Sequence, residues 1–305
     1  MTRLAVFTKN RTNPAYAAAR LGAERTAARQ GASVVHFVPR KADDIDEQIG
    51  LLDDALAARF DAFVFVPVHA SAVDEAIGRV LGAGIPVVNY LNRLATGHFV
   101  SFVGADDVQL GRAIAEYLAQ HLHGRGDLVV MEGMPGSVTS ADRMKGFADA
   151  LKAHPGIRVV ATLQGEYQHV AARDAMAAFL AVPYPAFDAV LAANDAMALG
   201  ALEVLAARGL RPVVTGVNAL PDAIDAVKSG TMLATVDFDA LKIACIATEA
   251  ALRHLRGERV PREIILPVQI VERTNCAAWD RPLEERECPR WDDVTRITGG
   301  TAVSP

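Results

Sequence analysis

The chain has 305 residues, of which 51% are apolar and 22% charged, and its formal net charge is -5 at pH 7. This length is enough for one large or two medium-sized domains with packed cores. The acidic balance excludes the basic surface that nucleic-acid-binding proteins use, and no apolar run approaches the ~18 residues that a membrane span requires.

Short apolar strands alternate with amphipathic helices, the pattern typical of βαβ units and parallel sheets. The first half predicts strands at 4–8, 33–38, 62–67, 85–90 and 99–104, with helices at 16–30, 45–59, 71–84 and 108–123. The second half predicts strands at 128–132, 158–163, 189–193, 213–217, 233–236 and 264–271, with helices at 139–154, 170–180, 195–208 and 239–256. The repeated order predicts two similar α/β lobes.

The last part of the chain, residues 273–305, is polar and contains both tryptophans, Trp279 and Trp291. We predict irregular chain there, laid over the surface of the lobes. The three cysteines lack metal-site spacing, so we predict no metal and no cofactor. Cys245 falls in a predicted helix as a small core residue, whereas the sequence leaves open whether Cys276 and Cys288 pair.

The most informative stretch is residues 188–202, where Asn194 and Asp195 follow an apolar run and precede an alanine-rich helical pattern. Asp195 is predicted to cap that helix, which leaves Asn194 at the carboxyl end of a buried strand. Ligands of open α/β sheets bind at such ends. The alternative, in which both residues only form a turn and a cap, stays open from this motif alone.

Polar residues also follow other predicted strands. The turn after the first strand contains Asn13 but no glycine fingerprint for a dinucleotide or a P-loop. Asn92 and Arg93 follow the strand at 85–90, where an amide that donates and accepts, beside a guanidinium, suits a polyol. An ordinary turn or an exposed loop arginine is the alternative at these positions.

The second half repeats this arrangement. Asn218 follows the strand at 213–217, and Asp237 and Phe238 follow the strand at 233–236. We assign Asp239 as the cap of the next helix.

These residues resemble the type I periplasmic sugar-binding proteins, the ribose-binding-like group that shares its core with the Lac repressor family. The motifs that carry the resemblance, in family order, are Asn13-Pro14-Ala15-Tyr16, Asn92-Arg93, Arg143-Met144-Lys145-Gly146-Phe147, Asn194-Asp195-Ala196-Met197-Ala198-Leu199-Gly200 and Gly216-Val217-Asn218. The resemblance implies an α/β fold of two Rossmann-like lobes with parallel sheets. Three crossovers, near 103–106, 235–238 and 267–270, are expected to form the hinge.

The resemblance also implies the domain boundaries and the ligand contacts. An N-terminal lobe of 1–104 plus 237–267 and a C-terminal lobe of 105–236 plus 268–305 are expected, with the ligand between them. Positions that match sugar contacts of the family, together with a neighbouring carboxylate at Asp237, are Asn13, Tyr16, Asn92, Arg93, Tyr167, Asn194, Asn218, Asp237 and Phe238. Arg143 matches an arginine that supports the fold more often than it contacts ligand.

Several positions depart from the ribose-binding pattern. Asn92 and Asn218 stand where ribose-binding proteins usually have aspartates, Ala141 where an arginine is frequent, and Ala15 in place of the first of two aromatic residues. Leaving a buried polar partner unpaired costs about 1–3 kcal/mol. The departures therefore favour a linear or cyclic polyol, a modified sugar or a hexose over ribose.

The resemblance implies a solute-binding protein of an ABC transporter that closes by a hinge motion on its ligand and delivers it to membrane permease subunits. We expect no enzymatic activity, no nucleic-acid partner and a monomer. The expected location is the periplasm after signal-peptide removal, or the cytoplasm if no signal peptide exists. The alternatives are a sensor for a membrane receptor and the effector-binding core of a Lac-repressor-type regulator, whose DNA-binding headpiece would precede the first strand.

Overall fold

The computed structural model describes residues 1–297. Its strands are β1 (Arg3–Phe7), β2 (Ser33–Phe37), β3 (Ala62–Phe65), β4 (Val87–Tyr90), β5 (Ser101–Gly104), β6 (Arg125–Glu132), β7 (Gly156–Gln164), β8 (Ala189–Ala192), β9 (Val213–Val217), β10 (Ala234–Asp237), β11 (Glu263–Ile265) and β12 (Gln269–Glu272). Its helices are α1 (Pro14–Arg29), α2 (Ile45–Ala57), α3 (Asp74–Gly82), α4 (Asp107–His121), α5 (Val138–Leu151), α6 (His169–Phe179), α7 (Asp195–Ala207), α8 (Pro221–Ser229), α9 (Ala240–Leu255) and α10 (Trp291–Ile297).

These elements form two compact units. Unit 1 consists of Met1–Ala105, Asp239–Pro267 and the described chain from Pro282 onward, and unit 2 consists of Asp106–Phe238 and Val268–Arg281. The chain passes from one unit to the other between 281 and 282, in addition to the three passages near the predicted crossovers. The assignment of residues 282–305 to the second lobe was therefore wrong for its described part. That part is also not wholly irregular, because it contains α10.

Each unit is built on a six-stranded sheet. The sheet of unit 1 has the order β11-β5-β4-β3-β1-β2, with parallel pairing throughout. The sheet of unit 2 has the order β12-β10-β9-β8-β6-β7, in which β12 alone pairs antiparallel to its neighbour. The two α/β units with parallel sheets confirm the predicted fold class.

The central strands are apolar on both faces because helices cover both sides of a parallel sheet. All residues of β3 and β8 are buried, as the uninterrupted apolar runs at these positions predict. In unit 1, the ring of Phe7 lies 5.0 Å from that of Phe37 and 5.3 Å from that of Phe65, measured between centroids. These contacts fix the strands whose carboxyl ends bear the polar side chains.

Helices α1 and α9 pack closely in unit 1, and a disulfide stabilises this region. A side chain at Gly22 could not be accommodated, since its Cβ would lie 2.5 Å from the backbone oxygen of Leu241 on α9. Next to this contact, Cys245 forms a disulfide with Cys288, and Cys276 remains a buried thiol. The pairing that the sequence left open, Cys276 with Cys288, is thus not the one formed, because residue 288 lies in unit 1 and residue 276 in unit 2.

Within residues 1–297, no helix has both the length and the apolar character needed to cross a membrane. The same residues contain no group of three or more histidine, cysteine, aspartate or glutamate side chains that could hold a metal ion.

Candidate ligand-binding site

In unit 1, the turn after β1 positions the start of α1. The side chain of Asn13 accepts a hydrogen bond from the backbone N–H of Ala15 at 2.9 Å and caps the helix, with proline at the first helical position. Asn10, which sequence analysis did not single out, is buried, and its side-chain oxygen accepts from the N–H of Asn13 at 2.9 Å. The side chain of Asn10 therefore holds the backbone of Asn13, whose own side chain caps α1.

Two predicted site residues of unit 1 meet directly. The hydroxyl of Tyr16 donates to the side-chain oxygen of Asn92 at 3.4 Å, across 76 positions of sequence. Tyr16 lies in the first turn of α1, whereas Asn92 follows β4. The contact joins the carboxyl ends of two strands that are separated in the sheet by β3.

The loop that carries Asn92 is held by Asn89, which is fully buried and which sequence analysis did not select. The amide nitrogen of Asn89 donates to the backbone oxygen of Asn92 at 2.9 Å, and its oxygen accepts from the N–H of Leu94 at 3.0 Å. Leu91 has a positive φ of 59° within this loop. The tight turn thus depends on an amide inside the strand, a role that could have been inferred from the buried polar position in an apolar run.

Arg93 differs from a simple exposed loop arginine, because two neighbouring side chains hold its guanidinium. Its guanidinium forms an ion pair with Glu263 of β11 and lies 3.8 Å from the ring centroid of Phe102 on β5. The Arg93 and Glu263 side chains are about half exposed, so the planar guanidinium is oriented but remains accessible.

In unit 2, the helix cap predicted at Asp195 is formed instead by Asn194. Asn194 caps α7, since its side-chain oxygen accepts from the N–H of Met197 at 2.9 Å. Asp195 was wrongly predicted as the cap: its carboxylate is fully buried and points into the unit, where it accepts from the hydroxyl of Thr235 at 2.7 Å and from the N–H of Leu220 at 2.8 Å. The cap lies one residue earlier because β8 ends at Ala192.

The environment of Asp195 changes its acidity. Burial raises the pKa of Asp195 to about 7, and the hydrogen bonds from Thr235 and from the N–H of Leu220 oppose this increase only in part. The carboxyl group links α7 to the loop after β9 and to β10, so it holds together the strand ends that carry Asn194, Asn218 and Asp237.

Arg143 lies near two aromatic residues of the predicted site, Tyr167 and Phe238. Its guanidinium is buried, donates to Asp107 at 2.9 Å and to the backbone oxygen of Ala193 at 2.7 Å. Its central carbon is 5.7 Å from the ring centroid of Tyr167 and 5.8 Å from that of Phe238. Arg143 therefore positions the end of β8 and orients two of the predicted aromatic contacts.

Tyr167 is held from two directions. Its backbone oxygen accepts from the side-chain nitrogen of Asn194 at 3.1 Å, and its ring lies against Gly133, where a Cβ would approach the ring to 2.2 Å. Tyr167 and the preceding Glu166 both have positive φ values, 61° and 53°. Such strained backbone at a strand end is frequent at binding sites. Burial raises the pKa of the Tyr167 hydroxyl to about 12, so the group remains a donor at neutral pH.

The remaining predicted residues follow β9 and β10. Asn218 is partly buried, has a φ of 119°, and donates its backbone N–H to the oxygen of Val236 at 2.9 Å. Asp237 is buried at the end of β10 and accepts from the indole N–H of Trp279 at 2.7 Å. Sequence analysis did not assign Trp279 to this site. Asp239 caps α9 as predicted, since its side chain accepts from the N–H of Lys242 at 3.0 Å.

Four strands of unit 2 thus carry polar or aromatic side chains at their carboxyl ends. Asp237 ends β10, Asn218 and Asn194 follow the neighbouring strands β9 and β8, and Tyr167 follows β7, with its ring against Gly133 after β6. Adjacent carboxyl ends of parallel strands are the usual ligand position in α/β sheets. Apart from the Arg93 guanidinium and the Asp237 carboxylate, the groups in both units are amides, hydroxyls and rings, which suit a neutral ligand rich in hydroxyl groups.

Residues 4–259 match the model of the family described as "Periplasmic binding protein domain". The chain belongs to the periplasmic binding protein family. Among the relatives of this periplasmic binding protein is the D-ribose/D-allose-binding protein of Pseudomonas aeruginosa, which is 31% identical over 75% of this chain and 75% of its own length. The xylitol-binding protein of Mycolicibacterium smegmatis is 30% identical over 63% of this chain and 56% of its own length.

A solved structure extends this likeness to the fold. The ABC transporter periplasmic solute-binding protein of Actinobacillus succinogenes with bound D-allose has a TM-score of 0.86 and 27% identity, and the match covers 91% of this chain and 100% of that one. The family and these relatives are binding proteins, so this periplasmic binding protein binds a solute rather than converting it. They do not favour the alternative of a Lac-repressor-type regulator.

Proposed function

We propose that this protein is the solute-binding component of an ABC import system and that its ligand is a small sugar or polyol other than ribose. The observation that carries the proposal is the set of amides and aromatic rings at the carboxyl strand ends of both units. Asn13, Tyr16, Asn92 and Arg93 contribute from unit 1, and Tyr167, Asn194, Asn218, Asp237 and Phe238 contribute from unit 2.

The chemistry of these residues supports a neutral, hydroxyl-rich ligand. A side-chain amide both donates and accepts, as a hydroxyl does, so an amide can bind a hydroxyl in either direction. Two arginines at these strand ends are already paired with carboxylates, Arg93 with Glu263 and Arg143 with Asp107. Such pairing offsets the positive charge that a sugar acid or sugar phosphate would require.

The preference against ribose rests on Asn92 and Asn218, which replace the aspartates expected in ribose-binding proteins. A carboxylate forms the stronger hydrogen bond with a hydroxyl donor. We infer that a ligand which needs an acceptor at both positions binds weakly, and that polyols and hexoses, such as the xylitol and D-allose of its relatives, bind better.

The wider role follows from the same proposal. The protein would act as a monomer in the periplasm and deliver its ligand to permease subunits of the membrane. The disulfide between Cys245 and Cys288 supports an oxidising compartment, because disulfides persist there and are rare in the cytosol.

Calorimetric titration of the purified protein with ribose, D-allose, xylitol and myo-inositol tests the proposal. We expect one of the last three to bind at least tenfold more tightly than ribose, a difference of about 1.4 kcal/mol. Substitution of both Asn92 and Asn218 by aspartate should reduce that ratio. Ribose as the best ligand of the wild-type protein would contradict the stated preference, and no binding of any of the four would contradict the proposed ligand class.

A further inference from the structure

The segment after β12 is fixed in place by its own side chains. The side-chain oxygen of Asn275 accepts from the N–H of Glu272 at 2.9 Å, and its nitrogen donates to the backbone oxygen of Ile270 at 2.9 Å. The following 3-10 turn, Cys276–Ala278, buries the Cys276 side chain in the core of unit 2. The chain on the amino-terminal side of Trp279 is therefore anchored twice.

The carboxyl-terminal side of Trp279 is anchored as well. Asp280 accepts from the ammonium group of Lys228, at the end of α8, at 2.6 Å. Between these anchors the Trp279 ring packs against the core of unit 2, and its indole N–H donates to the Oδ2 atom of Asp237 at 2.7 Å. The local structure thus holds the indole N–H of Trp279 against the carboxylate of Asp237.

We propose that Trp279 is a positioning residue for the ligand, which acts by fixing the orientation of the Asp237 carboxylate. The inference rests on the proposed function, because it requires a hydroxyl of the ligand to donate to Asp237. A carboxylate has about four acceptor positions, so the bond from the indole orients its plane while occupying one of them. Fixing an acceptor before the ligand arrives increases affinity, since less conformational entropy is lost on binding.

The choice of donor also matters. The indole N–H is neutral, has no acceptor atom and does not titrate, so it orients the carboxylate without cancelling its charge. A carboxylate that keeps its charge accepts strongly from a hydroxyl donor. Trp279 therefore contributes to specificity for the ligand hydroxyl that donates to Asp237. For a ligand analogue that lacks this hydroxyl, the affinity should not depend on Trp279.

Titration of Trp279→Phe with the best ligand of the wild-type protein tests the inference. The substitution keeps an aromatic ring and removes the N–H, and we expect about tenfold weaker binding, as for the loss of a hydrogen bond to a charged group. The matched control is Trp291→Phe, because Trp291 packs on Arg253 in unit 1. Its affinity should equal that of the wild type, and equal affinity of Trp279→Phe would overturn the inference.

A double-mutant cycle separates positioning from general support of the fold. If Trp279 acts through Asp237, then Trp279→Phe should have little further effect in the Asp237→Ala background, which has no acceptor for the indole N–H. Additive losses of affinity would overturn the inference, since they would show that the two residues act independently.

Fluorescence provides a measurement that does not depend on the folding of the Trp279 variant. In the Trp291→Phe protein, Trp279 is the remaining tryptophan, and saturating ligand should shift its emission. Unchanged emission with ligand bound would overturn the inference and leave the proposed function intact. Failure of the wild-type protein to bind any sugar or polyol would instead overturn both.

Discussion

The two units place similar residue types at their strand ends, but they hold them differently. In unit 1, Arg93 is half exposed and its ion-pair partner Glu263 lies on an edge strand of the sheet. In unit 2, Arg143 is buried, and it pairs with Asp107, which is 17% exposed, and with a backbone oxygen. The difference indicates that the arginine of unit 2 is held rigidly away from solvent, whereas that of unit 1 is oriented at a surface that water can reach.

The largest expected effect compares the two arginines. Arg143→Met leaves Asp107, whose side chain is 17% exposed, without its partner, which should reduce the free energy of unfolding by about 3 kcal/mol, the lower end of the range for a buried pair. Arg93→Met breaks an exposed pair and should change it by less than about 1 kcal/mol. Urea denaturation of both variants measures the two values, and equal destabilisation would contradict the comparison of a buried with an exposed site.

A second expectation concerns pH. Burial raises the pKa of Asp195 from 3.8 to about 7. Between these two pH values the carboxyl group is protonated in the folded protein and ionised in the unfolded chain. The stabilisation from the neutral carboxyl group is thus fully present below about pH 4 and is lost as pH rises towards 7, by an amount of order a few kcal/mol. Unfolding measured from pH 5 to 8 should show this loss in the wild type and a reduced loss in Asp195→Asn. A similar pH dependence in the variant would contradict the assignment to Asp195.

The disulfide lies in unit 1 and offers a third comparison. Its loss in the Cys245→Ala, Cys288→Ala double variant should lower the free energy of unfolding by about 2–4 kcal/mol. Cys276→Ala, which removes the unpaired thiol of unit 2, is the control for cysteine substitution. It keeps the disulfide and should therefore show the same difference in stability between reducing and oxidising buffer as the wild type, whereas the double variant should show none. A wild type that is equally stable in both buffers would contradict the pairing.

The smallest effect is expected at the contact of Tyr16 with Asn92. Tyr16→Phe removes a 3.4 Å hydrogen bond at a partly accessible site, so stability should fall by no more than about 1 kcal/mol. Ligand affinity, measured by calorimetry, should fall more than stability if the hydroxyl also orients Asn92 for the ligand. A loss of stability without any loss of affinity would show that this contact stabilises the fold of unit 1 and does not orient Asn92 for the ligand.

The sequence was sufficient for most of the alternating elements, because apolar periodicity and helix caps are local signals. It did not predict α8, and the single strand predicted at 264–271 is two strands, β11 and β12, in different sheets. It was misleading at Asp195, since an aspartate before a helical pattern is usually a cap and only the end of β8 at Ala192 shows that Asn194 takes that role. Trp279 was not assigned to the site because its bond to Asp237 spans 42 positions. The pairing of Cys245 with Cys288 depended likewise on where the last segment packs, which no local pattern encodes.

The discontinuity of unit 1 has a consequence for biogenesis. Its sheet needs β11, its helix layer needs α9, and its disulfide needs Cys288, all from the last part of the chain. Domains generally fold as units during synthesis, the amino-terminal one first. Here the amino-terminal unit must wait for the synthesis of α9, β11 and Cys288, while residues 106–238 of unit 2 are continuous and can fold earlier.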